Sequence, residues 1–311
     1  MRIVSLLPAA TEWVACFGGL PDLVGRSHAC DAPPGVQAVP ALTHTVIEAS
    51  AGSAEIDAAV RDRHRRALSL FEVDLERLRA LRPDVVLTQA QCDVCAVPVQ
   101  EVEAVLAESD AGGPRLFSFT PTTLREALQQ ALHLARAIGR LYAAIAYLGR
   151  AEQRLQQLRD ALGLHKRTDP ARWPSVVCIE WLDPLMVAGH WLPEVAEMAG
   201  ARVLLGTKGT PSAYVSWDAI RRADPDVLAI LPCGFSIERT RRDLPALTAQ
   251  PGWDRLRAVR SGRVFLFDGS AYFNRPGPRL YRAIELLAAV LHPAQAEAVR
   301  TPIRPWEMQP L

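Results

Sequence analysis

The chain has 311 residues, 49% of them hydrophobic, and 35 basic against 34 acidic side chains leave a net charge of +1. That length is enough for two domains, because single cores rarely grow much beyond about 250 residues, and the balanced charge without a basic, aromatic-interleaved stripe excludes nucleic acid as an expected partner. Six cysteines are too few for a disulfide framework, and no uninterrupted apolar run reaches the roughly 18 residues of a membrane span, so no membrane insertion is expected.

The chain begins MRIVSLLPAATEWVAC, one early arginine and a short apolar run stopped at Pro8 and followed by Thr11 and Glu12. A secretory leader needs a longer apolar segment and a cleavage site, so the chain as given is expected to be cytoplasmic, or periplasmic or surface-bound if a leader has been trimmed. Cys16 lies on the first predicted helix, where packing is the expected role. After LVGR comes SHACD at 27–31, and HRR at 64–66 reads as a solvated helix face, as does RTRR at 239–242.

LERLRALRPDVVLTQ then predicts a helix, a Pro-Asp turn and a buried strand, followed by QCDVC with Cys92 and Cys95 two residues apart. RLFSF at 115–119 is a further short strand. From Thr123 to Leu164 the sequence has no proline and keeps a helical rhythm through Leu124, Leu128, Leu132, Leu141, Ile145, Leu148, Leu155 and Leu158. The expectation is one continuous helix of roughly 60 Å, without a glycine-rich hinge, joining two α/β lobes that would shift little on ligand binding. HKRTDPARWP ends it. The expected domains are therefore 1–122, the helix 123–164, and 165–311.

Shifting the sequence on itself by 142 residues lays LERLRALRPDVVLTQAQC over WDAIRRADPDVLAILPCG, and RLFSF resembles RVFLF at 263–267. The two lobes thus read as versions of one unit. Strand followed by helix, repeated, predicts mostly parallel sheets covered on both faces, the Rossmann-like arrangement, in which ligands sit outside the carboxyl ends of the strands. SHACD, QAQCDVC, LPCGF at 231–235 and AYFNRPGPRL at 271–280 fall at that edge.

Four of the cysteines, Cys30, Cys92, Cys95 and Cys233, therefore converge on predicted edge loops. Thiolates in such number suit zinc, another soft metal or an iron–sulfur cluster, whereas free cysteine also packs as a small hydrophobe, so packing, metal ligation and direct ligand contact all remain open. A redox role is disfavoured, because Asp93 between the paired cysteines opposes a low thiolate pKa. Cys178, inside VVCIE, is expected in the core. No catalytic set emerges: Ser5 and Thr11 lack evident partners, no phosphate-binding glycine loop occurs, and nothing in one sequence pairs Glu180 or Asp183 with another carboxylate.

RIVSLLPAATE at the start, VGRSHACDAPP at 24–34, LRPDVVLTQ at 81–89, the long helix, WLPEVAEMAGA at 191–201 and SGRVFLFDG at 261–269 carry a resemblance. They resemble the cobalamin and iron-siderophore substrate-binding proteins of ABC importers, over essentially the whole chain and in order, and most of all the cobalamin-binding branch. The resemblance implies two lobes joined by one helix, with cobalamin or a related corrinoid or tetrapyrrole-like ligand held between them, and no catalysis. Where that branch places aromatic residues on the first lobe, this chain offers His28, Cys30, Asp31, Gln89, Gln91 and Cys92. In the second lobe Trp181, His190, Trp191 and Phe235 would supply faces for a planar ligand, and His28 would reach its metal or hydrogen-bond within its loop. Asn274 and Arg275 would meet an anionic ligand group. The same resemblance implies that Glu103 and Glu197 dock onto arginines of an importer's membrane subunit, with Glu101 and Glu194 as neighbouring alternatives. The rival reading is a cytosolic metal or iron–sulfur protein or enzyme built on Cys30, Cys92, Cys95 and Cys233, whose thiols would share one cleft.

Overall fold

The structure is a computed structural model that describes residues 1–48, 50–66, 70–89, 102, 113–164, 169–296 and 302–311. It divides into two compact units, the first made of Met1–Ala51, Glu55–Pro121 and Arg125–Gly149, the second of Gly52–Ala54, Thr122–Leu124 and Arg150–Leu311.

The first unit starts with β1 (Ile3–Ser5), whose three residues are fully buried, and α1 (Pro8–Cys16), which has proline in its first turn where no N–H is needed. Next come β2 (Leu23–Arg26), β3 (Thr43–Thr45), α2 (Ser53–Arg65), β4 (Phe71–Val73), α3 (Leu75–Ala80), β5 (Val85–Thr88) and β6 (Arg115–Ser118). The main sheet runs β2-β1-β5-β6 with every pair parallel, while β3 and β4 form a separate antiparallel pair. The buried run VVLT of β5 fits a strand covered on both faces. One cover is a cluster of Val4, Leu6, Leu42, Leu78, Val86 and Val102. Elsewhere in the unit, Trp13 and Phe17 of α1 stack at 5.5 Å and meet Tyr147 edge-on.

The helix expected over 123–164 is two helices, α4 (Leu124–Ala137) and α5 (Leu141–Ala161). Gly139 takes φ +68°, the left-handed conformation that glycine adopts without a Cβ clash, and the Arg140 N–H reaches back to the Ala135 carbonyl at 2.7 Å. Arg140 is pinned there by Asp22 at 2.8 Å. An apolar rhythm without proline is thus compatible with a break, because a single glycine cap ends a helix without disturbing the stripe. The boundary between the two units falls inside α5, after Gly149.

The second unit contains β7 (Ser175–Leu182), β8 (Leu185–Val187), α6 (Leu192–Met198), β9 (Arg202–Val203), β10 (Ala213–Tyr214), α7 (Trp217–Ala223), β11 (Val227–Ile230), α8 (Ile237–Asp243), β12 (Val264–Phe267), α9 (Gly269–Tyr272), α10 (Leu280–Leu291) and β13 (Met308–Pro310). Its sheet is ordered β10-β8-β7-β11-β12-β13, with β9 also on β7. The centre β7-β11-β12 is parallel as expected; β8, β10 and β13 are antiparallel additions. A Pro-containing turn at 183–184 folds β8 straight back on β7, a hairpin that the strand-then-helix rule does not foresee.

The repeat is real at the level of single residues. Asp74 caps α3 by accepting the Arg77 N–H, and Ser216 caps α7 by accepting that of Ala219. Arg82 and Asp224, 142 positions apart, both take left-handed φ of +43° and +39°. Asp84 then accepts the Arg2 N–H at 2.6 Å, and Asp226 accepts that of Ser175 at 2.8 Å, so each pins the start of the neighbouring strand.

Candidate functional site

Most of the described candidate residues lie at the carboxyl ends of parallel strands, whereas His190 and Trp191 follow the antiparallel β8. In the first unit β2 ends at Arg26, and the following turn carries His28 and Cys30. The Arg26 guanidinium donates to the carbonyls of Val39 and Ser27 at 2.9 Å each, which fixes this loop from below. His28 Nδ1 stands 2.7 Å from Thr43 Oγ1, and the Thr43 hydroxyl donates to Ser27 Oγ at 3.1 Å. With that hydroxyl proton spent, Nδ1 carries the ring proton and Nε2 is the lone-pair nitrogen. The ring packs 5.6 Å from Phe71, and burial, followed by the charges of His44 and Arg26, lowers its pKa and keeps it neutral. Cys30 is buried with its Sγ 3.1 Å from Thr11 Oγ1. Asp31 is exposed, and its carbonyl accepts from Gln37 at 3.1 Å. Gln89 is half-buried just past β5, and Thr88 Oγ1 at the strand's end is buried with no hydrogen-bond partner among the described residues.

Gln91, Cys92, Cys95, Glu101 and Glu103 lie outside the described residues. Among the described residues no group of three His, Cys, Asp or Glu side chains is arranged to hold a metal ion, and the structure identifies no metal ligand there. Cys178 is a core residue of β7 whose thiol is pushed up to about 12 by burial and by Glu180, in line with the packing expectation. Cys16 departs from that expectation: it is exposed at the end of α1. Cys233 is exposed on the loop after β11, with its N–H donated to the Glu180 carbonyl at 3.0 Å.

In the second unit Trp181 occupies the carboxyl end of β7, half-buried, and its indole N–H reaches the Asp183 carbonyl at 3.1 Å. Phe235 lies 5.0 Å from it and is itself under the Arg239 guanidinium at 4.1 Å. Phe235 is almost wholly buried, so it backs Trp181 and offers little face of its own. Trp191 corrects the sequence reading: it is packed in the core beneath α6, and its indole N–H is spent on the Phe273 carbonyl at 2.8 Å.

His190 is the strained member. Its φ is +51°, which a side-chain-bearing residue adopts only when its surroundings enforce it. Here the enforcement is a clasp: the His190 N–H donates to the Thr210 carbonyl at 2.6 Å and its own carbonyl accepts the Gly209 N–H at 2.9 Å. Gly189 is required beside it, because a Cβ there would strike the backbone of Thr210 and Pro211. The ring stacks on Trp191 at 5.7 Å, its Nδ1 is buried with no partner among the described residues, and burial lowers its pKa.

A polar network missed by the sequence reading lies under these residues. The Glu180 carboxyl accepts from Ser212 Oγ, which in turn accepts the Gly189 N–H at 3.1 Å, and Asn274 lies 3.4 Å from its other oxygen. Burial raises the Glu180 pKa against the pull of those contacts. Arg275 is half-buried next to Asn274 and donates to Ser270 Oγ at 3.2 Å. Sequence gave no means of joining position 180 to 212 and 274; only the hairpin at β8 and β10 brings 212 back to β7. Of the docking residues, Glu197 is exposed on α6, as that role requires, whereas Glu194 is half-buried.

The family model described as periplasmic binding protein matches residues 3–271. No curated protein sequence matches the chain. Among solved structures, a periplasmic heme-binding protein from Pseudomonas aeruginosa is 22% identical with a TM-score of 0.70, covering 99% of this chain and 97% of that one. A possible iron-binding, periplasmic solute-binding protein from Staphylococcus epidermidis is 18% identical with a TM-score of 0.67, over 94% and 98% of the two chains. The periplasmic vitamin B12 binding protein BtuF of Vibrio cholerae is 20% identical with a TM-score of 0.65, over 94% and 97%. The family's periplasmic setting gives no support to the cytoplasmic placement expected from the amino terminus, and no helix among the described residues is long and apolar enough to cross a membrane. Over more than four-fifths of its length, then, the chain is a member of the periplasmic binding protein family, and its role is to bind a solute, not to transform one.

Proposed function

We propose that this protein binds a large planar metal-bearing macrocycle, a corrinoid such as cobalamin or a haem-type tetrapyrrole, and hands it to an ABC importer. The observation that carries the reading is the carboxyl edge of the second unit, where half-buried Trp181 is stiffened from behind by Phe235 and Arg239. A rigid indole face of this kind rewards a flat ligand with stacking and area burial at little entropic cost. The same unit carries His190 as a neutral imidazole and Arg275 as a cation for ligand carboxylates or phosphate. Within the first unit, the His28 ring is neutral and its Nε2 lone pair is not consumed by the Thr43 contact. The solved relatives named for heme and vitamin B12 support the ligand class, since both are flat macrocycles.

Titration with cyanocobalamin, hemin and a ferric siderophore, followed by calorimetry and visible absorption, tests the reading. Saturable binding of one macrocycle with a Kd below about 10 μM is expected, and Trp181→Ala is expected to weaken it about tenfold, the scale of one stacking contact. Binding of the siderophore alone, or of none of the three, overturns it. Importer docking is read from Glu197: reversing its charge in Glu197→Arg is expected to weaken complex formation with a cognate membrane subunit while leaving solute affinity unchanged.

A further inference from the structure

The side-chain amide of Asn274 is flanked at one end by two backbone carbonyls, Gly269 O at 2.6 Å and Pro232 O at 3.2 Å. Carbonyls only accept, so the amide NH2 must point at them, which turns the Asn274 carbonyl oxygen toward Glu180 Oε1 at 3.4 Å. On the other side of the same carboxyl, Ser212 Oγ accepts the Gly189 N–H and therefore donates its own proton to Glu180 Oε2. One carboxyl oxygen is thus an acceptor, and the other faces an oxygen that has no proton to give. At 3.4 Å the pair is wider than an O–H···O hydrogen bond, and a proton on Oε1 is what lets this contact close into one.

We propose that Glu180 is a positioning residue of the candidate site, a neutral carboxylic acid that donates from Oε1 to Asn274 and accepts at Oε2 from Ser212. In this state one side chain ties together three loops: the segment with Gly189 and His190, the segment 209–212 that clasps it, and the loop of Asn274 and Arg275. The knot is tight, since a Cβ on Gly269 would strike the carbonyls of Pro232 and Leu231 and the Asn274 amide. The surroundings fit a neutral acid. Burial is the largest influence on Glu180 and raises its pKa; Ser212 and Gly189 oppose it by hydrogen bonding, the turned Asn274 amide does not, and no cation is among the influences. The charged and titratable groups on the packed elements are Cys178 on β7, Cys233 after β11, His190 after β8 and Arg275 after α9, of which Arg275 acts on Cys233. His190 is itself shifted toward its neutral form by burial.

The effect of Glu180 on ligand retention rests on the function proposed above, but its protonation does not, and the experiment separates the two. The infrared difference spectrum of the full-length wild-type protein minus Glu180→Gln at pH 7, without ligand, is expected to show the carbonyl stretch of a protonated acid that shifts in D2O. Absence of that band overturns the proposal whatever the ligand proves to be. Glutamine reproduces the neutral acid, its NH2 donating to Asn274 and its oxygen accepting from Ser212, so Glu180→Gln is expected to bind the macrocycle found by titration within about twofold of wild type at pH 7. Glu180→Ala, which leaves Ser212 and Asn274 unanswered, is expected to bind at least about tenfold more weakly, and Ser212→Ala serves as the second probe if the alanine variant does not fold. As pH rises from the ordinary carboxyl range through the raised pKa, wild-type melting temperature is expected to fall and that of Glu180→Gln to stay flat, a slope a merely space-filling side chain would not produce. Equal losses in the glutamine and alanine variants, or parallel pH slopes for wild type and Glu180→Gln, overturn the proposal.

Discussion

Residues 74–88 and 216–230 fold the same sequence of events twice: a capping side chain, a short helix, a left-handed residue, a Pro-Asp whose carboxylate pins the neighbouring strand, and four buried strand residues. Past its strand the second copy runs into Pro232, Cys233 and Phe235 above a buried carboxyl network, and the edge chemistry described in the first unit, the His28–Thr43–Ser27 chain and the Cys30–Thr11 contact, stands on another loop. The amino-terminal edge of each sheet is retained because its polar pins satisfy backbone groups that any copy of the fold must satisfy. The carboxyl edge has no such obligation and is free to differ, which is why candidate function collects there.

The comparison breaks first at glycine. In the second unit Gly269 sits against backbone carbonyls that cannot retreat, whereas the nearest atoms to a Cβ on Gly25 of the first unit belong to the side chains of Leu42 and Leu81. Gly269→Ala is therefore expected to cost about 3 kcal/mol and Gly25→Ala about 1 kcal/mol in chemical denaturation. Equal costs would mean that the second edge is as pliable as the first.

The paired aspartates come next. Asp226 accepts from the Ser175 N–H and hydroxyl and from Arg257, at 2.8, 2.7 and 2.8 Å, while Asp84 accepts from the Arg2 N–H. Asp226→Asn is expected to lose about 2 kcal/mol and Asp84→Asn about 1 kcal/mol, and a double-mutant comparison should find the two additive because they serve different sheets.

The same residue sets a pH limit. Partial burial works to raise the Asp226 pKa, but Ser175 and Arg257 overcome it and hold the carboxyl at about 2. A depressed pKa contributes stability that is complete above the ordinary range near 3.8 and is lost as pH falls through 2. Melting curves between pH 5 and pH 2, about the range those values bracket, should therefore fall less steeply for Asp226→Asn than for wild type.

A comparably small effect is expected at Gly139, where a Cβ would meet nothing within 4 Å but the φ is +68°. Alanine there should cost about 1 kcal/mol through backbone strain alone. A stabilised Gly139→Ala would indicate that the two helices prefer to be one.

Much of this was legible in the sequence. The repeat, the buried strands VVLT and VLAI and the carboxyl-edge placement of His28 and Asn274 all follow from patterning, because periodicity and turn residues act locally. What escaped depends on atoms far apart in the chain. Trp191 looks like a ligand face until its N–H is seen to end on Phe273, and Glu180 is one carboxylate among many until Ser212 and Asn274 close around it. Gly139 escaped for a different reason, since a residue's handedness leaves no trace in hydrophobic spacing.

β13 has a consequence for handling. It pairs antiparallel with β12 from Phe265 to Phe267, and the segment before it is fastened by Glu307, which holds Arg282 at 2.7 Å and accepts the Arg304 N–H at 2.8 Å. The strand therefore works as a cover laddered onto the sheet and fastened to α10 by one ion pair. Cutting the chain before Glu307 would bare the β12 edge, a row of unanswered N–H and carbonyl groups that another molecule can pair with, so a trimmed protein would be lost to self-association before it was lost to unfolding.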